Sequence, residues 1–224
     1  YHGSLEPIAL ATLAIARASE FPVAVHLDHA ESVDLIHEAV DLGFTSVMFD
    51  GSTLDYDANV ALTAELAAYC HERGVGIEAE LGEVGGKDGV HAPGVRTDPA
   101  EAAEFVAATG VDALAVAVGS SHAMTSRDAK LDLELIAAIR QAVPVPLVLH
   151  GSSGVADENL TKAVEAGMTK VNISTHLNHA FTDTVREILA ANPEMVDTRK
   201  YLGAGREAVR AEVTRLLGVL LAAN

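Results

Sequence analysis

Short apolar runs alternate along the chain with longer segments whose apolar positions recur every three to four residues. The runs cover residues 23–27, 46–49, 76–79, 113–118, 146–149 and 170–173. Each is nearly continuous, as expected of parallel strands covered on both faces. The longer segments, 32–42, 57–73, 98–109, 132–141, 157–165 and 176–191, predict helices. Their starts carry capping chemistry. Thr97-Asp98-Pro99 sets an acceptor side chain before a proline at a first-turn position. Gly43, Gly74, Gly110 and Gly167 each close a helical segment shortly before the next strand.

The pattern gives six strand-then-helix units, preceded by a helical segment at 5–18. It predicts an α/β fold, a (β/α)8 TIM barrel forming a single domain over 1–224. A closed barrel of this type has eight strands, so the first two strands are expected to be absent from this chain. An open, doubly wound six-stranded sheet is the alternative. The Gly-rich segment 82–94 reads as a mobile loop. The amphipathic stretch 206–221 reads as a helix packed on the barrel, or as a subunit contact.

Composition fits this picture. Apolar residues make up 49% of the 224 and aromatics only 4%, which suits a core of small and branched side chains. The net charge of −17 argues against nucleic acid or an anionic membrane as partner. It leaves room for a phosphorylated substrate, because backbone N–H groups can hold phosphate locally. Cys70 is the single cysteine, so no intramolecular disulfide forms; a reducing, cytoplasmic setting fits. Its place in a helical pattern predicts a buried structural thiol. No apolar run reaches the ~20 residues of a membrane span. No secretory signal is visible, although the chain begins at Tyr1 rather than Met.

Ligands and catalysis gather at the C-terminal ends of the strands in a parallel barrel. The residues there are Asp28 and His29; Asp50, Gly51 and Ser52; Glu78 and Glu80; Gly119 to His122; His150; and Asn172, Ser174 and Thr175. Three histidines, His29, His122 and His150, fall at three strand ends. Three imidazoles and an open position make a catalytic zinc site. His26, two residues before Asp28, is the rival ligand. Gly151-Ser152-Ser153-Gly154 precedes a helix, and its N–H groups and hydroxyls suit phosphate. The final two strands of such barrels are the usual place for a phosphate.

The segments His26-Leu27-Asp28-His29, Glu78-Ala79-Glu80-Leu81-Gly82, Gly85-Gly86, the stretch 119–122, Leu149-His150-Gly151-Ser152-Ser153-Gly154 and the stretch 171–175 resemble class II fructose-bisphosphate aldolases. The shorter branch, which includes tagatose-bisphosphate aldolases, is the nearer likeness. Arg199-Lys200-Tyr201-Leu202-Gly203 and Arg206-Glu207 resemble it too. The resemblance implies a lyase of carbohydrate metabolism, glycolytic in type. It would cleave a ketose 1,6-bisphosphate, fructose first and tagatose second, to dihydroxyacetone phosphate and glyceraldehyde 3-phosphate.

By that resemblance His29, His122 and His150 hold Zn2+, and Glu80 serves an alternative metal site. Asp28 is the proton-transfer carboxylate. Gly151, Ser152, Ser153, Asn172, Ile173, Ser174 and Thr175 hold the dihydroxyacetone phosphate moiety, beside Ala123, which stands where the family commonly has glycine. Arg199 meets the far phosphate, often across a subunit interface. The family implies a homodimer or homotetramer and, in some members, a monovalent cation. Asp88 takes the place of the acidic residue of the mobile loop.

Cleavage needs a base for the C4 hydroxyl and an electrophile at the ketone oxygen. Asp28 fits the first role and zinc the second. Neighbouring residues of a strand point to opposite sides, so Asp28 and His29 can both serve only where the pleat breaks; His29 is expected in the loop. A lysine Schiff base is the other aldol route. It lacks a placed lysine, since Lys170 starts its strand and the others fall in loops and helices. A zinc hydrolase on the same barrel, a related aldolase for another phosphorylated sugar, and an inactive binding module are the remaining readings.

Overall fold

The computed structural model describes residues 4–81, 96–122 and 124–222. Their elements, in chain order, are α1 (Glu6–Ala18), β1 (His26–Ala30), α2 (Val33–Leu42), β2 (Ser46–Phe49), α3 (Tyr56–His71), β3 (Gly76–Glu80), α4 (Pro99–Thr109), β4 (Ala113–Ala115), α5 (Leu133–Ala142), β5 (Leu147–Leu149), a 3-10 turn Ser152–Gly154, α6 (Asp157–Ala166), β6 (Met168–Val171), α7 (Thr175–Ala191) and α8 (Thr198–Leu221). The strands lie in one sheet in the order β1-β2-β3-β4-β5-β6, and the pairings from β1 through β5 are parallel. A doubly wound sheet reverses its strand order at a switch point. This order does not reverse, so the sheet is not the doubly wound alternative; it is a six-stranded sheet consistent with part of a TIM barrel. The expected loop at 82–94, with Asp88, lies outside the described residues.

Helix starts follow the caps. Ser32 accepts from the Leu35 N–H, Asp55 from Ala58, and Asp98 from Ala100 and Glu101. Strand starts differ more. β1 begins at His26, not at 23, because Phe21 and Val23 leave their side chains in solvent. β4 ends at Ala115, yet Val116, Ala117 and Val118 stay buried. β6 lies two residues earlier than expected. α8 begins at Thr198, well before 206, with Asp197 as its cap.

The described residues divide into two compact units. The first contains the residues up to Leu81, then Thr97–Val116 and Ala138–Val148. Its strands have one apolar face, where Phe49, Ala79, Leu114 and Leu147 stand in register beside the Val47–Ile77 pair. These side chains are all but inaccessible. Burying a large apolar side chain stabilises by about 1.5–3 kcal/mol. Helices α2 and α3 lie on β1, β2 and β3.

The opposite face of the first unit is mixed. His26 stands opposite Ser46, and Met48, Glu78 and Ala113 form the next row. Glu80, Ala115 and Val148 form a third. Met48, Ala115 and Val148 are a fully buried cluster, which gives the polar side chains an apolar floor.

The second unit contains Arg96, the described part of Ala117–Ala137, and the chain from Leu149 on. α7 and α8 pack along each other. Gly205 makes this approach possible, since a Cβ there would meet the Phe181 ring at 2.7 Å. α8 is also pinned to α6, because Arg215 reaches both Asp157 and Glu212.

Candidate active site

In the first unit, the decisive local feature is in β1. Leu27 pairs with Val47 and Ala30 with Phe49, so Asp28 and His29 together oppose the single residue Met48. This is a β-bulge, which bends a strand and re-aims its side chains. His29 carries the strain, with a φ of 48°, the one positive value at a described non-glycine residue. The expected break in the pleat is there, but His29 lies inside the strand rather than in a loop.

His29 donates from Nδ1 to Asp50 Oδ2 at 2.8 Å. Asp50 is buried, and its other oxygen accepts from the Ser52 N–H and hydroxyl. The bond fixes the tautomer, leaving the lone pair on Nε2. Burial opposes charge on this imidazole. The Asp50 hydrogen bond and the negative charges of Asp28, Glu80 and Asp50 outweigh burial, so the pKa lies above the ordinary value. His29, Asp50 and the buried Glu80 bring ligand atoms within 4.8 Å of one another. His26, Asp28 and Glu78 do the same.

In the second unit, the rings of His122 and His150 meet edge to face, centroids 5.6 Å apart, with a nitrogen of each within 4.8 Å of the other. His150 is fully buried. Ser120 donates to its carbonyl at 2.6 Å, and Asn172 Nδ2 lies 3.3 Å from its Nε2. Gly151 follows with a φ of 66°, where an added Cβ would sit 2.5 Å from the Ser121 backbone.

The Ser/Gly loop meets a different helix from the expected one. Ser153 Oγ accepts from the backbone N–H groups of Ser174 (3.3 Å) and His176 (3.1 Å), at the start of α7. α6, which follows the loop in sequence, opens with Asp157 and Glu158 and so repels an anion. Ser152 is buried, with its hydroxyl on the Leu149 carbonyl. Ile173 lies between β6 and α7, and Thr175 is the first residue of α7. Arg199 projects from α8, 88% exposed, in a two-point ion pair with Asp197. Ala123 lies outside the described residues.

The family model for class II fructose-bisphosphate aldolase matches residues 1–224. The chain belongs to this family. The aldolase YdjI of Escherichia coli K12 is similar at 35% identity and a TM-score of 0.84, over 97% of this chain and 76% of that one. A Coccidioides immitis protein provisionally named a fructose-1,6-biphosphate aldolase gives 33% identity and 0.84, over 98% and 78%. The fructose-bisphosphate aldolase of Campylobacter jejuni shares the fold at 24% identity and 0.76, over 96% and 74%. Membership makes the chain an aldolase, and so a lyase. No described helix is long and apolar enough to cross a membrane.

Three participants had no role assigned from sequence. Asp50 was visible at a strand end, but only the structure ties it to His29. Ser46 and Glu78 gather around His26 from neighbouring strands. Glu78 had one signal, its place two residues before Glu80 on the same strand face; Ser46, at the start of its strand, had none.

Proposed function

We propose that this aldolase cleaves fructose 1,6-bisphosphate reversibly, using a zinc ion held by His29, His122 and His150. Imidazoles suit zinc. A histidine whose second nitrogen donates to a carboxylate is the usual form of a ligand, and His29 on Asp50 has that form. When bound, zinc supplies a Lewis acid for the ketone oxygen. Asp28 takes the proton of the C4 hydroxyl as the C3–C4 bond breaks, and returns it in condensation. The bulge carries this reading, because it gives one strand end both a base and a ligand.

Asn172, Ser174, Thr175, Gly151, Ser152, Ser153 and Ile173 hold the ketone-side phosphate, with the N-terminus of α7 adding its N–H groups. Ser153 accepts two of those N–H groups. Glu80, with His29 and Asp50, offers the alternative metal position. Arg199 exchanges Asp197 for the far phosphate, and Ala123 lines the ketone side. We read residues 1–224 as one domain of (β/α)8 TIM-barrel type, working in the cytoplasm as a homodimer or homotetramer, with a monovalent cation as a further cofactor.

A retro-aldol assay tests the reading. Turnover should vanish on complete zinc removal and return when zinc is restored. Activity that survives the chelator overturns the metal assignment. Faster turnover of tagatose 1,6-bisphosphate would move the substrate to that sugar. Ester or amide hydrolysis without bisphosphate cleavage would favour the hydrolase.

A further inference from the structure

The row behind the bulge contains a second cluster that metal binding by three histidines does not use. His26 Nδ1 lies 2.8 Å from Ser46 Oγ on β2. Its Nε2 lies 3.7 Å from Asp28 Oδ1 and 3.8 Å from Glu78 Oε2 on β3. Asp28 has 46% of its side chain exposed, while Glu78 has only 3%. One imidazole therefore stands between an exposed carboxylate and a buried one.

We propose that His26 is a positioning residue, which aims the Asp28 carboxylate from behind and is itself aimed by Ser46. This rests on the reading of Asp28 as the proton-transfer group. A base works only when held within hydrogen-bond reach of its proton, and displacement by ~1 Å can cost a hundredfold. His26, held by its contacts to β2 and β3 and 3.7 Å from Asp28 Oδ1, favours one Asp28 rotamer in this proposal.

The chemistry of the ring is consistent with that task. With the Ser46 hydroxyl donating to Nδ1, Nε2 carries the hydrogen and presents it to Asp28 and Glu78. Glu78, fixed in the sheet against Met48 and Ala113, holds the ring from the far side. His26 is thereby aimed from three strands, and its position does not depend on the substrate. It makes no contact with reacting atoms in this scheme. Its influence passes through Asp28 alone.

That restriction sets the test. The C4 hydroxyl is present only in the bisphosphate. Exchange of the carbon-bound proton of dihydroxyacetone phosphate with solvent involves no C4 hydroxyl, so it does not call on Asp28 in its proposed role. In His26→Ala, kcat for cleavage should fall about tenfold to a hundredfold, with KM and zinc content unchanged and proton exchange retained. His26→Gln, which keeps a donor near Nε2, should recover part of the loss, and Ser46→Ala should give a smaller loss in the same direction. Asp28→Ala sets the floor. Unchanged cleavage in His26→Ala overturns the proposal, and so does a parallel fall of cleavage and exchange or a loss of zinc. A wild type without bisphosphate cleavage would instead refute the functional reading. Crystal structures of wild type and His26→Ala then decide the positioning itself. One Asp28 rotamer spreading to several supports it, and one unchanged rotamer overturns it.

Discussion

At the scale of single residues, two backbone positions constrain the site more than any side-chain contact. One is His29, held at a φ of 48°. The other is Gly151, at 66°, where an added Cβ would lie 2.5 Å from the Ser121 backbone. A left-handed conformation costs a side-chain-bearing residue about 1–3 kcal/mol, and forcing a methyl into filled space costs about as much again. Gly151→Ala should therefore destabilise the protein by about 2–6 kcal/mol, read as a lower denaturant midpoint. A midpoint equal to that of the wild type would mean that the Ser121 backbone yields without penalty. Asp28, His29, His122 and His150 were legible as candidates because each falls in the short stretch just after an apolar run. Asp50, Ser46 and Glu78 were not tied to their histidines, because those contacts cross from one strand to another, 20 or more positions away along the chain.

At the scale of elements, caps made the helices legible and left the strands less so. Ser32, Asp55 and Asp98 mark helix starts chemically. A strand start has no comparable marker, and Phe21 and Val23 are apolar yet exposed. The join between α8, α6 and α7 was not visible at all. There the Arg215 hydrogen bond, assisted by His176, pulls the Glu212 carboxyl down to about 2, against the opposing effect of burial. Arg215 also holds Asp157 below its ordinary value. A depressed carboxylate stabilises the fold above its unfolded pKa, and that stability is lost as pH falls through the folded value. For Glu212 the window runs from 4.5 down to about 2. Glu212→Gln should lower stability near neutral pH and flatten the decline across this window. Denaturant unfolding at several pH values measures it, and an unchanged slope would show that Glu212 contributes little.

At the scale of the whole chain, the alternation of strands and helices was legible, but the order of the strands was not. Six strand-helix units predict a barrel but are also compatible with a doubly wound sheet, and the unreversed order rules out the second. Each compact unit is also assembled from separated stretches of sequence, which no local pattern announces. Cys70 offers a measure of how the fold opens. It is the single thiol, fully buried, and burial pushes its pKa up to about 11. A thiolate-seeking reagent should label it only as fast as the surrounding helix α3 leaves the core. Rapid labelling of the native protein in neutral buffer would contradict that burial.

The extra residue in β1 has a consequence for how this sequence can drift. Most changes at a strand end swap one side chain and leave the others where they were. Deleting one residue from the Asp28-His29 pair would instead restore an even ladder with β2. It would remove a strained dihedral and yield a more regular strand that had lost either Asp28, the proposed base, or His29, the proposed zinc ligand. Stability alone would reward the shorter form, whereas the proposed site needs the longer one.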